Sequence, residues 1–322
     1  MSFSMNFSPY WPSQVHPVLI DIGASGQPPA VWASLAAQSI YIGFDPDLRE
    51  TQQPQNSLYY QAKIIHQAIT NNPQQSEVQF YLTHSPFCSS TLLPNQAVLG
   101  DYLHAHLFAV EGQSRAESTT LDAVLDGLGL TRVHWLKLDS QGTDLRLFQS
   151  LTSPRQAGVL ALDIEPGLLA AYEGEDTFPT AHQALTQAGF WLSDLNVQGT
   201  VRGRASTLQQ HLGFEPEQLK WYQHALKTSP GWCEARYLRS IAWMDQHDLA
   251  WEDYSLLAIF ACLDGQWAFA LDVTSAQAAR FGRSNPLQTE VIRLIRQQLD
   301  HANRPPSLIR RIYRKLRQLS PL

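Results

Sequence analysis

Over residues 18–192 the chain alternates short apolar runs with stretches of helical periodicity, and this alternation restricts the possible folds more than any other feature of its 322 residues. A strand buried on both faces reads as a nearly continuous apolar run, and returning to a parallel neighbour requires a covered crossover. The runs 18-VLIDI-22, 40-IYIGF-44, 60-YQAKIIHQAI-69, 77-EVQFYL-82, 133-VHWLKL-138 and 158-GVLALDIE-165 are expected as strands. The segments 29-PAVWASLAA-37, 120-TLDAVLDGLG-129, 143-TDLRLFQSL-151 and 180-TAHQALTQAG-189 are expected as helices, the last stopped by Gly189. The fold class implied is α/β: a Rossmann-like, mostly parallel sheet with helices on both faces. After Gly199 the periodicity changes, and from about Ser240 the chain reads as helical throughout, with Trp243, Trp251 and Trp267 as expected core anchors. The organisation expected is an α/β domain over residues 1–240 and a C-terminal α-helical extension over residues 241–322.

The loop after the first strand, 21-DIGASG-26, lies where backbone N–H groups and a helix N-terminus receive ligands in open α/β sheets. Its spacing is Asp-x-Gly-x-x-Gly, which is neither the GxGxxG of dinucleotide folds nor a phosphate-binding loop with Gly-Lys-Ser/Thr. Asp21, Gly23, Ala24 and Gly26 are its candidate cofactor-binding residues. The next strand ends in 43-GFDPD-47, where Asp45 stands in position to accept hydrogen bonds from the two hydroxyls of a ribose. A loop of this kind followed by an acid at the next strand end points to S-adenosylmethionine as cofactor. The competing reading of the pair is a Rossmann-like sheet with tight turns and no such ligand.

In order along the chain, VLIDIGASGQPPAVW, IGFDPD, 88-CSSTLLPN-95, 119-TTLDAVLDGLG-129, 135-WLKLDSQGTDLRLFQSL-151 and the segment 162–195 beginning LDIEPGLLAAYEGED resemble an FkbM-type methyltransferase. The resemblance covers residues 18–195 and extends to 232-WCEARYLR-239 as a last strand. It implies a class I methyltransferase fold, S-adenosylmethionine as methyl donor, and O-methylation of a sugar or another hydroxyl-bearing small molecule. It also makes Ser89 and Ser90 candidate cofactor contacts, against the alternative that they satisfy the backbone of their own loop. Where the family usually carries Asp-Val-Glu/Gln-Gly-Ala-Glu, this chain has 139-DSQGTD-144, with the final acid shortened to Asp144.

Methyl transfer to a hydroxyl needs an aligned acceptor and a base for the departing proton. By the strand reading, Lys137, Asp139 and Glu165 reach the C-terminal edge of the sheet. Asp139 and Glu165 are the candidates for base or acceptor binding, and Lys137 for orientation or charge stabilisation. Each acid has a structural alternative as a loop cap or as a partner of Lys137, and His134 and Asp163 are expected to face a helix layer. The pair 104-HAH-106 would place two imidazoles on one strand face, but it lacks a familiar zinc spacing with His84 or Cys88, so no metal is assigned. No GxSxG elbow supports a hydrolase. Two rival functions are a noncatalytic member of the fold acting through its helices and a nicotinamide-dependent oxidoreductase.

The odd and scattered cysteines, Cys88, Cys233 and Cys262, fit a reducing compartment, and the opening MSFSMNFSPYWPSQVHP has no secretory pattern, so a cytoplasmic location is expected. The net charge is −6, yet Arg304, Arg310, Arg311, Arg314, Lys315 and Arg317 gather at the C-terminus, which leaves a more acidic body and argues against nucleic-acid binding there. Residues 307–319 have the pattern of a basic amphipathic helix. It is expected to dock on the body or a partner, or to touch the inner membrane surface peripherally.

Overall fold

The apolar runs at 18–22 and 40–44 form β1 (Val18–Ile22) and β2 (Ile40–Phe44), paired in parallel, with β1 buried along its whole length. The computed structural model describes residues 7–12, 15–46, 58–213, 218 and 224–303. The other strands are β3 (Gln61–Ile65), β4 (Ala68–Ile69), β5 (Glu77–Thr83), β6 (Val110–Thr119), β7 (Trp135–Leu138), β8 (Ala161–Ile164), β9 (Phe190–Thr200) and β10 (Ser229–Arg239). Seven of them form one sheet in the order β3-β2-β1-β7-β8-β10-β9, with β10 antiparallel to both of its neighbours. The strand order reverses between β1 and β7, and the crevice beyond their C-terminal ends is where open α/β sheets bind ligands.

The two faces of this sheet are covered differently. The short helices are α1 (Gln96–Leu99), α2 (Leu121–Gly127), α3 (Asp144–Gln149), α4 (Ser153–Gly158), α5 (Phe178–Gln187) and α6 (Ala205–Leu212). Leu121 and Leu125 of α2, Leu147 and Phe148 of α3, and Ala181 and Leu185 of α5 pack with Val18, Ile20, Leu136 and Leu162 on one face. The opposite face, carrying Leu19, Trp135, Ala161 and Leu238, receives the C-terminal helices α7 (Ile241–Gln246), α8 (Trp251–Leu263), α9 (Trp267–Phe281) and α10 (Pro286–Asn303). Helix α8 is buried without interruption from Asp253 to Cys262, as a helix that is apolar all round must be. Its Phe260 ring lies 4.9 Å from that of Trp135.

Several expected elements take another form. Residues 29–37 hold two 3₁₀ turns, Ala30–Trp32 and Ala36–Gln38, in place of an α-helix. Pro28 and Pro29 donate no N–H at the start of this short connection, and i→i+3 bonds such as Leu35 N–H to the Trp32 carbonyl turn both side chains fully inward. The expected strand 60–69 breaks at His66 and Gln67: β3 pairs with β2, whereas β4 pairs with β6 in a second, three-stranded sheet of order β4-β6-β5. The run 77–82 also belongs to that second sheet. The pair His104 and His106 lies in a 3₁₀ segment, Leu103–Phe108, so the two imidazoles do not share a strand face. Strands β6 and β9 carry many polar residues, and their mainly polar composition hid them from an apolar-run reading. The basic segment 307–319 lies outside the described residues. Among the described residues no helix is long and apolar enough to cross a membrane.

Candidate functional site

Strand alternation and parallel register place a row of charges across the middle of the sheet. Asp21 of β1 stands beside Lys137 of β7, Lys137 beside Asp163 of β8, and Asp163 beside Arg236 of β10. Lys137 Nζ donates to Asp21 Oδ1 at 2.9 Å, the Tyr41 hydroxyl donates to Asp21 Oδ2 at 3.2 Å, and Arg236 Nε donates to Asp163 Oδ1 at 2.6 Å. Trp135 Nε1 donates to Asp163, and Asp264 closes the row with Arg236 at 2.8 Å. Burial pushes the Asp21 carboxyl up while Lys137 opposes that shift. For Lys137, the neighbouring charges of Asp21 and Asp139 outweigh burial, raise its pKa and keep it protonated. The buried Asp21 and the part-buried Lys137 thus pair within the sheet, and neither lines the cavity. His134 accepts a hydrogen bond from Val18 N–H at 3.0 Å, and burial pushes its pKa down to about 3.

Two residues further along β1, β7 and β8, the chain opens onto a cavity of about 810 Å³. Its floor is the C-terminal edge of the sheet, with Gly23 and Ser25 after β1, Asp45 after β2, Asp139 after β7, Glu165 after β8 and Trp232 on β10. Phe80, Leu82 and Arg115 of the second sheet, together with Cys88 and Ser89, contribute to the opposite wall. From β2 to β10 there are four interstrand steps, so the floor runs roughly 19 Å at the usual strand spacing.

Gly23 has φ +77, and a Cβ built there would fall 2.4 Å from the Asp139 carbonyl oxygen, so only glycine lets the ends of β1 and β7 approach this closely. The N–H groups of Gly23 and Ala24 both donate to the Phe44 carbonyl at 3.0 Å. These donors tie the loop to β2 and are engaged within the protein. The following connection holds two short 3₁₀ turns, so no α-helix begins there, which corrects the sequence-based expectation of a helix N-terminus after the loop. Gly26 has φ +83 and open space around it. Of the sequence-derived candidates, Gly23, Asp45, Ser89, Asp139 and Glu165 line the cavity, whereas Asp21, Ala24, Gly26, Ser90 and Lys137 do not.

The loop after β7 is held by its own side chains. Asp144 is buried at the start of α3 and accepts from Ser140 N–H at 2.9 Å, from the Ser140 hydroxyl, and from Glu165 N–H at 2.8 Å. The shortened acid therefore bridges the loops that follow β7 and β8, and burial pushes its pKa up to about 6 in spite of those donors. Gln141, at a non-glycine φ of +55, donates from Nε2 to Asp139 Oδ1 at 2.7 Å. The Gln141 carbonyl accepts from Ser90 Oγ at 2.7 Å, and its Oε1 lies 3.0 Å from the Tyr172 hydroxyl. Ser90 is thereby a support for Gln141, and Ser89 accepts from Thr83 N–H at 3.1 Å. Glu175 accepts from Gly167 N–H and Tyr172 N–H, which folds the loop after β8 against the cavity. Burial pushes the Glu165 carboxyl up to about 8, reinforced by the charges of Asp139, Glu234 and Asp144.

Gln141, Tyr172 and Glu175 were not singled out from the sequence. They sit in the segments DSQGTD and YEGED, where glycines beside polar side chains were the available signal. The acids suit an adenosyl sulfonium compound: Asp45 matches two vicinal hydroxyls, and Asp139 matches a positive charge. A family model described as the methyltransferase FkbM domain matches residues 22–192, more than half of the chain. Neither a curated protein nor a solved structure matches it.

Proposed function

The chain belongs to the FkbM methyltransferase family, and from that premise we propose that it is an S-adenosylmethionine-dependent O-methyltransferase acting on a hydroxyl of a sugar, glycan or glycolipid-type acceptor. The observation that carries this reading is the convergence of Asp45, Asp139 and Glu165 on one cavity at the point where the strand order reverses. Asp45 would hold the ribose hydroxyls, and Gly23 and Ser25 would border the methionine part. Bound there, S-adenosylmethionine supplies a methyl carbon that the acceptor oxygen takes up as the carbon–sulfur bond breaks, its electron pair remaining on sulfur.

Glu165 is the base that receives the hydroxyl proton, because a pKa raised toward neutrality suits proton abstraction near physiological pH. Asp139, fixed by Gln141, orients the acceptor at the same edge. Lys137 acts at one remove, holding Asp21 and the end of β1 in place.

Calorimetric titration tests this reading. S-adenosylmethionine and S-adenosylhomocysteine are expected to bind in the micromolar range, Asp45→Ala to weaken both at least tenfold, and NAD not to bind. Absence of adenosyl binding, or affinity indifferent to Asp45→Ala, would overturn it.

A further inference from the structure

From Asp45 the floor of the cavity continues past Glu165 to β10. There the wall changes character. The 3₁₀ segment Leu103–Phe108 and strand β10 bring together His104, Phe108 and Trp232, joined by Tyr172 from the loop after β8. His104 is only 7% exposed, and its Nδ1 is buried with no hydrogen-bond partner in the structure. By contrast, Nδ1 of the neighbouring His106 meets the Leu103 carbonyl at 3.0 Å. The His104 ring stands edge-on to Phe108 at 5.3 Å and lies within 18° of parallel to the Trp232 indole, with centroids 6.5 Å apart. His104 nevertheless lines the cavity, and its Nε2, which is not enclosed in this way, is the ring nitrogen that a ligand hydroxyl can reach.

Resting on the methyltransferase reading above, we propose that this end of the cavity is the acceptor subsite and takes a neutral hydroxylated ring. Trp232 receives the apolar face of the ring, and His104 Nε2 hydrogen-bonds one of its hydroxyls. Aromatic side chains bury the C–H face of such a ring while a polar atom at the edge sets its orientation. Charge favours the neutral class. Among the described residues of the lining, the acids Asp45, Asp139 and Glu175 outnumber the cation Arg115, itself 3.8 Å from Glu77, even with Glu165 protonated near neutral pH. Burial pushes the pKa of His104 down to about 4, so near neutral pH it offers a hydrogen bond and no charge to hold an anion.

The test uses the full chain, labelled S-adenosylmethionine and a panel of methyl pyranosides with their matched uronates and sugar phosphates, beside calorimetry with S-adenosylhomocysteine. The wild type is expected to methylate members of the neutral set in preference to their acidic counterparts. His104→Phe is expected to lower kcat/KM at least tenfold, mainly through KM, with S-adenosylhomocysteine affinity unchanged within twofold. Because that variant deletes an unpartnered polar atom, its Tm is expected to equal or exceed that of the wild type. His104→Asn should recover part of the loss, and Trp232→Leu should also raise KM. Unchanged kcat/KM in His104→Phe, preference for the acidic rings, or S-adenosylhomocysteine binding with every neutral ring left unmethylated would overturn the subsite and leave the methyltransferase reading standing. Failure of the wild type to bind S-adenosylhomocysteine would remove both.

Discussion

Single residues at the sheet edge carry opposite duties. Glu165 has a pKa of about 8 against an ordinary 4.5, so the folded protein binds this proton more tightly than the unfolded chain. Its effect on stability is therefore most favourable below about pH 4.5, declines as pH rises, and reaches its full penalty above about pH 8. The rate of methyl transfer is expected to move the other way, rising with pH through about 8 as the base loses its proton. Glu165→Gln should lower kcat by roughly 10²–10⁴-fold, flatten the pH–rate profile and stabilise the fold more at pH 8 than at pH 5. Matched pH–rate and denaturation series check this, and a profile left unchanged in the variant would assign the base elsewhere. Gly23 has the contrary task, since its value is the absence of a side chain. Gly23→Ala meets both the positive φ and the Asp139 carbonyl, and should cost more than about 1 kcal/mol in urea unfolding.

Among the elements, the loop joining β7 to α3 does the most to shape the site. Asp144 gathers three donors from two loops, and one of those donors is the backbone of Glu165 itself. Asp144→Ala would strand the Ser140 and Glu165 N–H groups in a buried setting, at about 1–3 kcal/mol for each group. Asp144→Glu keeps the charge but adds a methylene to a fully enclosed position, with an expected loss of about 1–3 kcal/mol. Equilibrium denaturation of the two variants checks both figures, and a neutral Asp144→Glu would mean that the loop yields more readily than its hydrogen bonds imply. The motif was legible in the sequence, including the shortened acid. Its role was not, because the partner Glu165 lies 21 residues further along the chain.

At the scale of the molecule, the C-terminal helices replace a missing layer. The connection from β1 to β2 supplies only 3₁₀ turns to the face bearing Leu19 and Trp135, so α8 and its neighbours provide the helical cover there. We propose that residues 1–240 do not fold as an independent unit, because removing helices α7 to α10 exposes a face whose core includes Trp135, Ala161 and Leu238. A chain ending at Ser240 is expected to be insoluble or to bind a hydrophobic dye without a cooperative thermal transition. A cooperative melt with full S-adenosylhomocysteine affinity would contradict this. The FkbM match itself ends at Leu192, so β10, Trp232 and the covering helices all lie beyond the residues it matches.

The sequence by itself determined the parallel α/β class, the strand that ends at Asp45, the reach of Asp139 and Glu165 to one edge, and the helical nature of residues 241–303. Each of these is encoded locally, by side-chain periodicity or by one acid closing an apolar run, and local signals survive without knowledge of contacts. Only the tertiary structure decided that Lys137 turns to Asp21, that the Gly23 and Ala24 N–H groups are spent on Phe44, and that the run 60–69 serves two sheets. It alone brought His104 beside Trp232, residues 128 positions apart. Register and burial settle such matters, and both are properties of which strands become neighbours rather than of any one segment.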